Sequence, residues 1–303
     1  MYKLLKSKIS IINEINTILS KNPGKQLRSK IFLLVGKCLG NFSEKHEVMA
    51  SVIEIIHNAT LLHDDVLDNS DIRRGSETIN SKYGSNTSIL AGDFLYSRAF
   101  QIAVNVKEDI DILKILSTTT NQIVEGEMSQ TSNINNIYLS ESQYMSIIFQ
   151  KTSVLFESTC EIAAILSNNS KYKNHVKNFG KHLGNCFQLV DDIMDYTGKE
   201  TKIRKSTKKD LITGKVTLPL IYTIRNTNQE NIQNINNFLK KKSYEDLNKV
   251  VDIVKNSGGI KYTHDKALEE SRLAIKFLRN LPESSEKDNL ITACQNIAQI
   301  QYQ

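Results

Sequence analysis

Proline and glycine are scarce, 3 and 13 among 303 residues. The prolines stand at 23, 219 and 282, so the stretches 26–80 and 87–168 run without one. An all-β sandwich or barrel needs many tight turns, and the shortage of turn residues favours long helices instead. Cysteine is as sparse: Cys38, Cys160, Cys186 and Cys294 show no CxxC spacing. That pattern excludes a zinc-finger set or a disulfide framework and suits buried thiols in a reducing compartment. No run approaches the ~18 uninterrupted apolar residues of a membrane span, and residues 1–10 carry no apolar core with a cleavage site, so a cytoplasmic protein is expected. Charge of one sign is in short supply too, with 39 basic against 33 acidic side chains leaving +6. Such an excess is too diffuse for nucleic acid, but it tolerates an anionic ligand or an anionic membrane surface.

What is plentiful is helical periodicity. From Glu47 to Asp68 the apolar residues Val48, Val52, Ile55, Ile56, Ala59 and Leu62 recur at helical spacing. A second such run passes through Val176, Phe179, Leu183, Phe187, Val190 and Met194. Further helices are expected over Ser88–Val106, Asp109–Met128 and Ser140–Ser167, and from Leu218 to Gln303 with breaks at Ser257-Gly-Gly259 and Leu281-Pro-Glu283. No linker separates two halves, and the expectation is one domain over 1–303.

Both strongly periodic runs end in acids. The first reads Leu61-Leu-His-Asp-Asp-Val-Leu-Asp68, the second Gln188-Leu-Val-Asp-Asp-Ile-Met-Asp195, and each is DDxxD. At about 100° per residue, Asp64 shares a helix face with Asp68, and Asp191 with Asp195. Carboxylates aimed at one point repel unless a cation lies between them, and magnesium favours one or two carboxylates plus waters and substrate phosphates. The alternating acids, central glycine and terminal glutamate of a calcium loop are not present. A single DDxxD is commonly a solvated helix face. Here two copies each follow an apolar helix and precede basic residues, Arg73-Arg74 after the first and Lys199, Lys202, Arg204, Lys205, Lys208 and Lys209 after the second. Metal-binding acids beside phosphate-binding cations are the two halves of a diphosphate site. His57 falls on the face of Asp64 and Asp68, whereas His63 lies off it and reads as structural.

These motifs resemble the trans-isoprenyl diphosphate synthases, most closely the long-chain, octaprenyl type. The resemblance extends through Ala91-Gly-Asp-Phe-Leu-Tyr-Ser-Arg-Ala-Phe100, Glu125-Gly-Glu-Met-Ser-Gln130, Lys151-Thr152 and Gly214-Lys-Val-Thr-Leu-Pro219. It implies an all-α, single-domain antiparallel helical bundle around a deep central cavity, in a homodimer. It also implies a reaction that joins an allylic diphosphate, here farnesyl diphosphate, to successive isopentenyl diphosphates with two or three Mg²⁺ ions. By the same resemblance Asp64 and Asp68 are metal ligands, with Asp65 among the catalytic acids. Asp191 is the second-motif ligand, and Asp192 and Asp195 act through water or directly. Arg73, Lys151, Lys205 and Lys215 hold the allylic diphosphate, while Lys25, Arg28, His57 and Arg74 form a metal-free isopentenyl diphosphate pocket. Thr152 and Gln188 lie near the reacting carbons, and Phe187 is either a π face there or core.

Two segments depart from the family pattern. Pro23-Gly-Lys-Gln-Leu-Arg-Ser29 keeps Lys25 and Arg28 but has Gln26 and Ser29 where Arg and Pro are usual, which weakens the expected isopentenyl diphosphate binding. Arg204-Lys-Ser-Thr-Lys-Lys-Asp-Leu211 keeps Lys205 without the glycines. Ala59 and Thr60, one turn before Asp64, are small where short-chain relatives carry an aromatic plug. The expected product is therefore octaprenyl diphosphate for a quinone side chain, against geranylgeranyl or nonaprenyl alternatives. A non-catalytic regulatory subunit would have damaged aspartate motifs, and a terpene cyclase would not need the second diphosphate pocket. Release of so apolar a product makes peripheral membrane contact an expectation.

Overall fold

The computed structural model describes residues 1–106, 110–198 and 208–299. Their backbone is helical in chain order through α1 (Ser10–Lys21), α2 (Leu27–Leu39), α3 (Glu44–Leu67), α4 (Ile79–Tyr83) and α5 (Ser85–Val106). It continues through α6 (Ile110–Ser132), α7 (Glu141–Ile148), α8 (Val154–Leu166), α9 (Lys173–Thr197) and α10 (Lys209–Thr213). The remaining helices are α11 (Leu218–Asn226), α12 (Gln229–Lys241), α13 (Tyr244–Asn256), α14 (Gly259–Leu278) and α15 (Ser285–Ala298). The all-α expectation holds, and the breaks near 257–259 and 281–283 fall where the glycines and proline placed them. Position 109, the expected start of α6, is outside the described residues.

α3 begins where its sequence directs. Ser43 and His46 form a reciprocal capping box, with the Ser43 amide donating to His46 Nδ1 at 3.2 Å, and Glu44 and Glu47 complement the positive helix end. Val52, Ile53, Ile55, Ile56, Ala59 and Leu62 are buried along its length. α9 joins the two apolar cores, giving Val176, Phe179 and Leu183 to one and Leu189, Val190 and Ile193 to the other. It runs against α8 and α14, while α3 lies against α5. Among the described residues no helix is long and apolar enough to cross a membrane.

The sequence reads Ser140–Ser167 as one helix, and the structure corrects that reading. A π-helical turn, Phe149–Ser153, separates α7 from α8. Two glycines on neighbouring helices admit the wider turn. A Cβ on Gly126 of α6 would lie 2.6 Å from the Lys151 amide nitrogen, and one on Gly184 of α9 would lie 2.5 Å from Ser153 Cα. The turn is thus set by close backbone approach from both sides, and it displays Lys151 and Thr152.

A two-residue hairpin is a second local device. β1 (Ile72–Arg73) pairs antiparallel with β2 (Ser76–Glu77), with Arg73 opposite Ser76. Arg74 and Gly75 form its turn with φ of 52° and 76°, the double positive φ of a type I′ connection.

Gly126→Ala, despite alanine's better helix propensity, is expected to lower stability by about 1–3 kcal/mol, because the contacted atoms are backbone and cannot rotate away. Chemical denaturation of the variant checks this.

Candidate functional site

The last turn of α3, the hairpin, α6, the π turn, α9 and α10 surround one cavity of about 1730 Å³. Thr60, Tyr96, Ile123, Val124, Ile148 and Phe187 are among its less polar lining residues. Asp64 with Asp68 and Asp191 with Asp195 line it, as the periodicity requires, and Asp192 lines it as well. Asp65 does not: it is buried behind the wall and accepts from Arg73 Nε at 2.7 Å. Its role is to aim Arg73.

The α3 wall is densely paired. Lys215 Nζ donates to Asp68 Oδ1 at 2.9 Å, and Lys209 Nζ to Asp68 Oδ2 at 3.1 Å and to the Ser70 hydroxyl. Burial works to raise the Asp68 pKa, yet the two lysines hold it below the ordinary carboxylate value. Asp64 goes the other way. Burial, joined by the negative Glu127 and Asp68, pushes it up to about 6 against the pull of Lys151 and Arg73. Lys151 itself is tethered to α6, bridging to Glu127 at 2.5 Å and donating to Gln130 at 2.8 Å.

On the α9 wall the second motif divides its labour. Asp195 accepts the backbone amides of Lys209 at 2.9 Å and Asp210 at 3.1 Å, anchoring α10. Burial and the nearby Asp210 push its pKa up to about 8. Asp192 is 3% exposed and takes Tyr144 Oη at 2.5 Å and Gln188 Nε2 at 2.8 Å. Thr152 Oγ1 in turn donates to Gln188 Oε1 at 2.7 Å. Asp191 is exposed at the cavity wall.

This donor set suits a divalent cation shared with a ligand. Among the described residues no group of three acid, histidine or cysteine side chains converges closely enough to hold a metal alone. Yet Asp64, Asp191 and Asp210 present carboxylates to a cavity in which burial has raised Asp64 and Asp210. Oxygen donors from two walls, too few on either for a closed cage, match magnesium's preference for completing its shell with phosphate oxygens and water.

One end of the same cavity is basic. Arg28 packs its guanidinium 4.5 Å from the centre of the Phe156 ring and lies 3.3 Å from His57 Nε2. Burial lowers Arg28 to about 10, and burial with the field of Arg28, Arg74 and Arg73 lowers His57 well below its ordinary value. His57 is therefore neutral at pH 7 and presents a ring nitrogen rather than a charge. Arg74 donates to the Asn22 carbonyl at 3.2 Å and rests on Gly24. Glu54 is buried behind this group, its pKa raised by burial and pulled back by Arg28 and Ser29.

Arg28, His57, Arg73, Arg74, Lys151, Thr152, Gln188 and Lys215 thus line the cavity as expected from the sequence. Lys25 is exposed and outside its wall. Lys205 is outside the described residues. Glu127, Gln130, Tyr144 and Asp210 take part in the site without a role assigned by the sequence pattern, whereas Lys209 belongs to the basic run after the second motif. Glu127 and Gln130 carry a weak signal, their spacing of one helical turn in a quoted motif, whereas Tyr144 carries none.

A family model described as polyprenyl synthetase matches residues 9–256. The chain is 38% identical over 288 residues to an all-trans-nonaprenyl-diphosphate synthase (geranyl-diphosphate specific) of Rhodobacter capsulatus, covering 95% of this chain and 88% of that protein. It is 35% identical over 289 residues to the octaprenyl diphosphate synthase of Escherichia coli K12, covering 95% and 89%. A polyprenyl synthase from Caulobacter crescentus, solved with calcium and isoprenyl diphosphate, superposes with a TM-score of 0.94 at 29% identity, over 98% of this chain and 91% of that one.

A Cβ at Gly24 would lie 2.2 Å from Arg74 Cζ, and Gly24 has φ +67°. Gly24→Ala is expected to displace the guanidinium and weaken isopentenyl diphosphate, the ligand the resemblance places here, by about tenfold, the loss of one charge-assisted hydrogen bond. Calorimetry in EDTA measures it.

Proposed function

Since the chain belongs to the polyprenyl synthetase family, we propose that its two aspartate motifs and their cations ionise an allylic diphosphate and extend it with isopentenyl diphosphate. The enzyme is a long-chain trans-prenyltransferase. The observation that carries the residue roles is the meeting of Asp64 and Asp68 with Asp191 across one cavity whose cations are already tethered.

In this reading Arg73, Lys151 and Lys215 take the oxygens of the allylic diphosphate, with Lys205 as a further lysine of that set. Asp64, Asp68, Asp191 and Asp195 would hold the divalent cation, proposed as two or three Mg²⁺, which when bound would supply positive charge to the departing diphosphate. The relative solved with calcium and isoprenyl diphosphate supports a divalent cation here. Arg28, Arg74 and the neutral His57 hold isopentenyl diphosphate without metal, Lys25 reaching in from the rim. The C–O bond breaks to leave an allylic cation, the isopentenyl double bond forms the new C–C bond, and a proton is lost. Thr152 and Gln188 turn oxygen dipoles to the positive charge, and the apolar wall keeps water from it.

Chain length is proposed as octaprenyl, from a farnesyl primer and for a quinone side chain. Octaprenyl and nonaprenyl synthases among the relatives support a long product. Thr60 lines the cavity, whereas Ala59 is fully buried and outside its wall. A homodimer belongs to the same reading, supported by Leu90 and Val104 of α5, apolar side chains left exposed.

Purified protein with Mg²⁺, labelled isopentenyl diphosphate and farnesyl diphosphate is expected to give a ladder of products ending near eight units. A folded protein that extends nothing would overturn the reading. Asp64→Ala is expected to cut turnover by about two orders of magnitude or more. Thr60→Phe, which fills the cavity wall, is expected to shorten the ladder, and chromatography of the dephosphorylated products reads the shift.

A further inference from the structure

The connection from α6 to α7 carries no charged residue over 128–140, yet its tip stands in solvent. Tyr138 is 86% exposed, more than any other large apolar side chain among the described residues, and Ile134 is 40% exposed. The tip is held in shape by its own asparagines. The Tyr138 amide donates to Asn136 Oδ1 at 3.1 Å, Asn136 Nδ2 to Asn133 Oδ1 at 2.8 Å, and Asn133 Nδ2 to the Ser129 carbonyl at 2.8 Å. The next residue, Leu139, is buried in the core that also holds Leu189 and Ile193. Tyr138 is therefore displayed by a braced turn with an anchored neighbour.

A lysine cluster lies against the same tip. Lys242 Nζ donates to Asn135 Oδ1 at 2.7 Å, and the Asn135 amide donates to the Gly214 carbonyl at 2.8 Å. Lys240 and Lys241, both exposed, precede Lys242 in the last turn of α12. Over 240–249, Lys240, Lys241, Lys242 and Lys249 outnumber Glu245 and Asp246. The dipole of α12 accounts for cations at its C-terminal end. It gives no reason for an uncharged tip with an aromatic ring to stand beside them. Lysine is depleted where proteins bury one another, so a second protein fits this patch poorly. A lipid surface fits both halves: the ring and alkyl groups enter the headgroup boundary while the ammonium groups meet anionic phosphates.

The tip also has a telling position. Met128, Gln130, Thr131 and Ser132, which lead into it, line the cavity. A bilayer seated on Ile134 and Tyr138 would adjoin the cavity opening. We propose that the α6–α7 tip and the lysines at 240–242 form a docking surface for an anionic lipid bilayer. The proposal rests on the reading that the product is a long polyprenyl diphosphate, whose chain favours the bilayer over water with each added methylene.

Flotation of the full chain with vesicles tests it, using phosphatidylcholine alone and an equal mixture with phosphatidylglycerol. At low salt the protein is expected to float with the anionic vesicles only, and to be released as salt rises. Lys240→Gln with Lys241→Gln is expected to weaken that binding by about twentyfold, roughly fivefold for each lysine. Tyr138→Ser with Ile134→Ser is expected to weaken it by about tenfold through lost insertion. None of these four side chains lines the cavity, so turnover without vesicles is expected to stay at the wild-type level. Unchanged binding in either double variant, equal binding to neutral vesicles, or no binding to either kind would overturn the proposal. Serine variants that bind vesicles normally but sediment as a smaller oligomer would overturn it too, and would assign the tip to a second copy of this chain. Wild-type protein assayed alongside separates the two readings. If it binds anionic vesicles but extends nothing, the reaction is wrong and the surface stands; if it makes the product ladder but ignores vesicles, only the docking surface fails.

Discussion

Carboxylates gathered at the mouth of a partly apolar cavity repel one another and resist burial, and the site is arranged around that constraint. Asp64, Asp68, Asp191, Asp195 and Asp210 all line the cavity, so unanswered negative charge would force them to protonate or spread apart. Four cations in the wall answer particular acids: Arg73 is held by Asp65, Lys151 by Glu127, and Lys209 and Lys215 by Asp68. The pairings leave a remainder. Asp64 stays raised to about 6 even with Lys151 and Arg73 near, which marks the part of the wall where internal cations do not complete the balance. An added divalent cation and the diphosphate it brings are of opposite charge, so together they can enter without undoing the existing pairs.

Backbone devices hold those pairs in place, and each sits at the end or interruption of a helix. The type I′ turn at Arg74-Gly75 carries adjacent arginines, one directed to Asp65 and the other to the Asn22 carbonyl. The π turn at Phe149–Ser153 carries Lys151 and Thr152, and α10 is fixed by two amides on Asp195. Rigid mounting of this kind limits the motion needed at ionisation, the condition under which preorganised dipoles act most strongly.

The fold was legible in the sequence to the extent that it is local. The apolar spacing of α3 and α9 reports burial directly, and the paired aspartates one turn apart report a common face. The π turn was hidden, because nothing between Ser140 and Ser167 marks it. Its cause lies in Gly126 and Gly184, on two other helices, where only the three-dimensional approach gives those glycines meaning. Asp65 misled for a related reason: the motif groups it with Asp64 and Asp68, whereas a helix turns consecutive residues about 100° apart and sends it to the far side. Tyr144 and Asp192 are separated by 48 positions, and no period connects them.

In the proposed reading, the two ends of the cavity solve opposite problems with different cations. Where Asp64 and Asp191 dominate, a diphosphate must arrive with metal because its own charge would add to theirs. Around Arg28 and Arg74 the acid that acts most strongly is Glu54, ahead of Asp64, and it is buried behind the guanidinium rather than in the opening, so a bare diphosphate meets positive charge first. A neutral His57 sharpens this difference. A third positive charge beside two arginines would repel both, whereas the uncharged imidazole can stay half-buried against Arg28 and still offer a hydrogen bond. The Arg28 guanidinium, packed over the Phe156 ring, has its Nε without a hydrogen-bond partner among the described residues, and Glu54 Oε2 is likewise unpartnered among them. Two buried groups of opposite sign left incompletely satisfied are costly at rest, and an anion drawn onto the outer nitrogens of Arg28 offsets the charge that Glu54 balances only in part. In that reading the basic end of the cavity favours the metal-free ligand, and the separation of the two anions follows from which wall carries the acids.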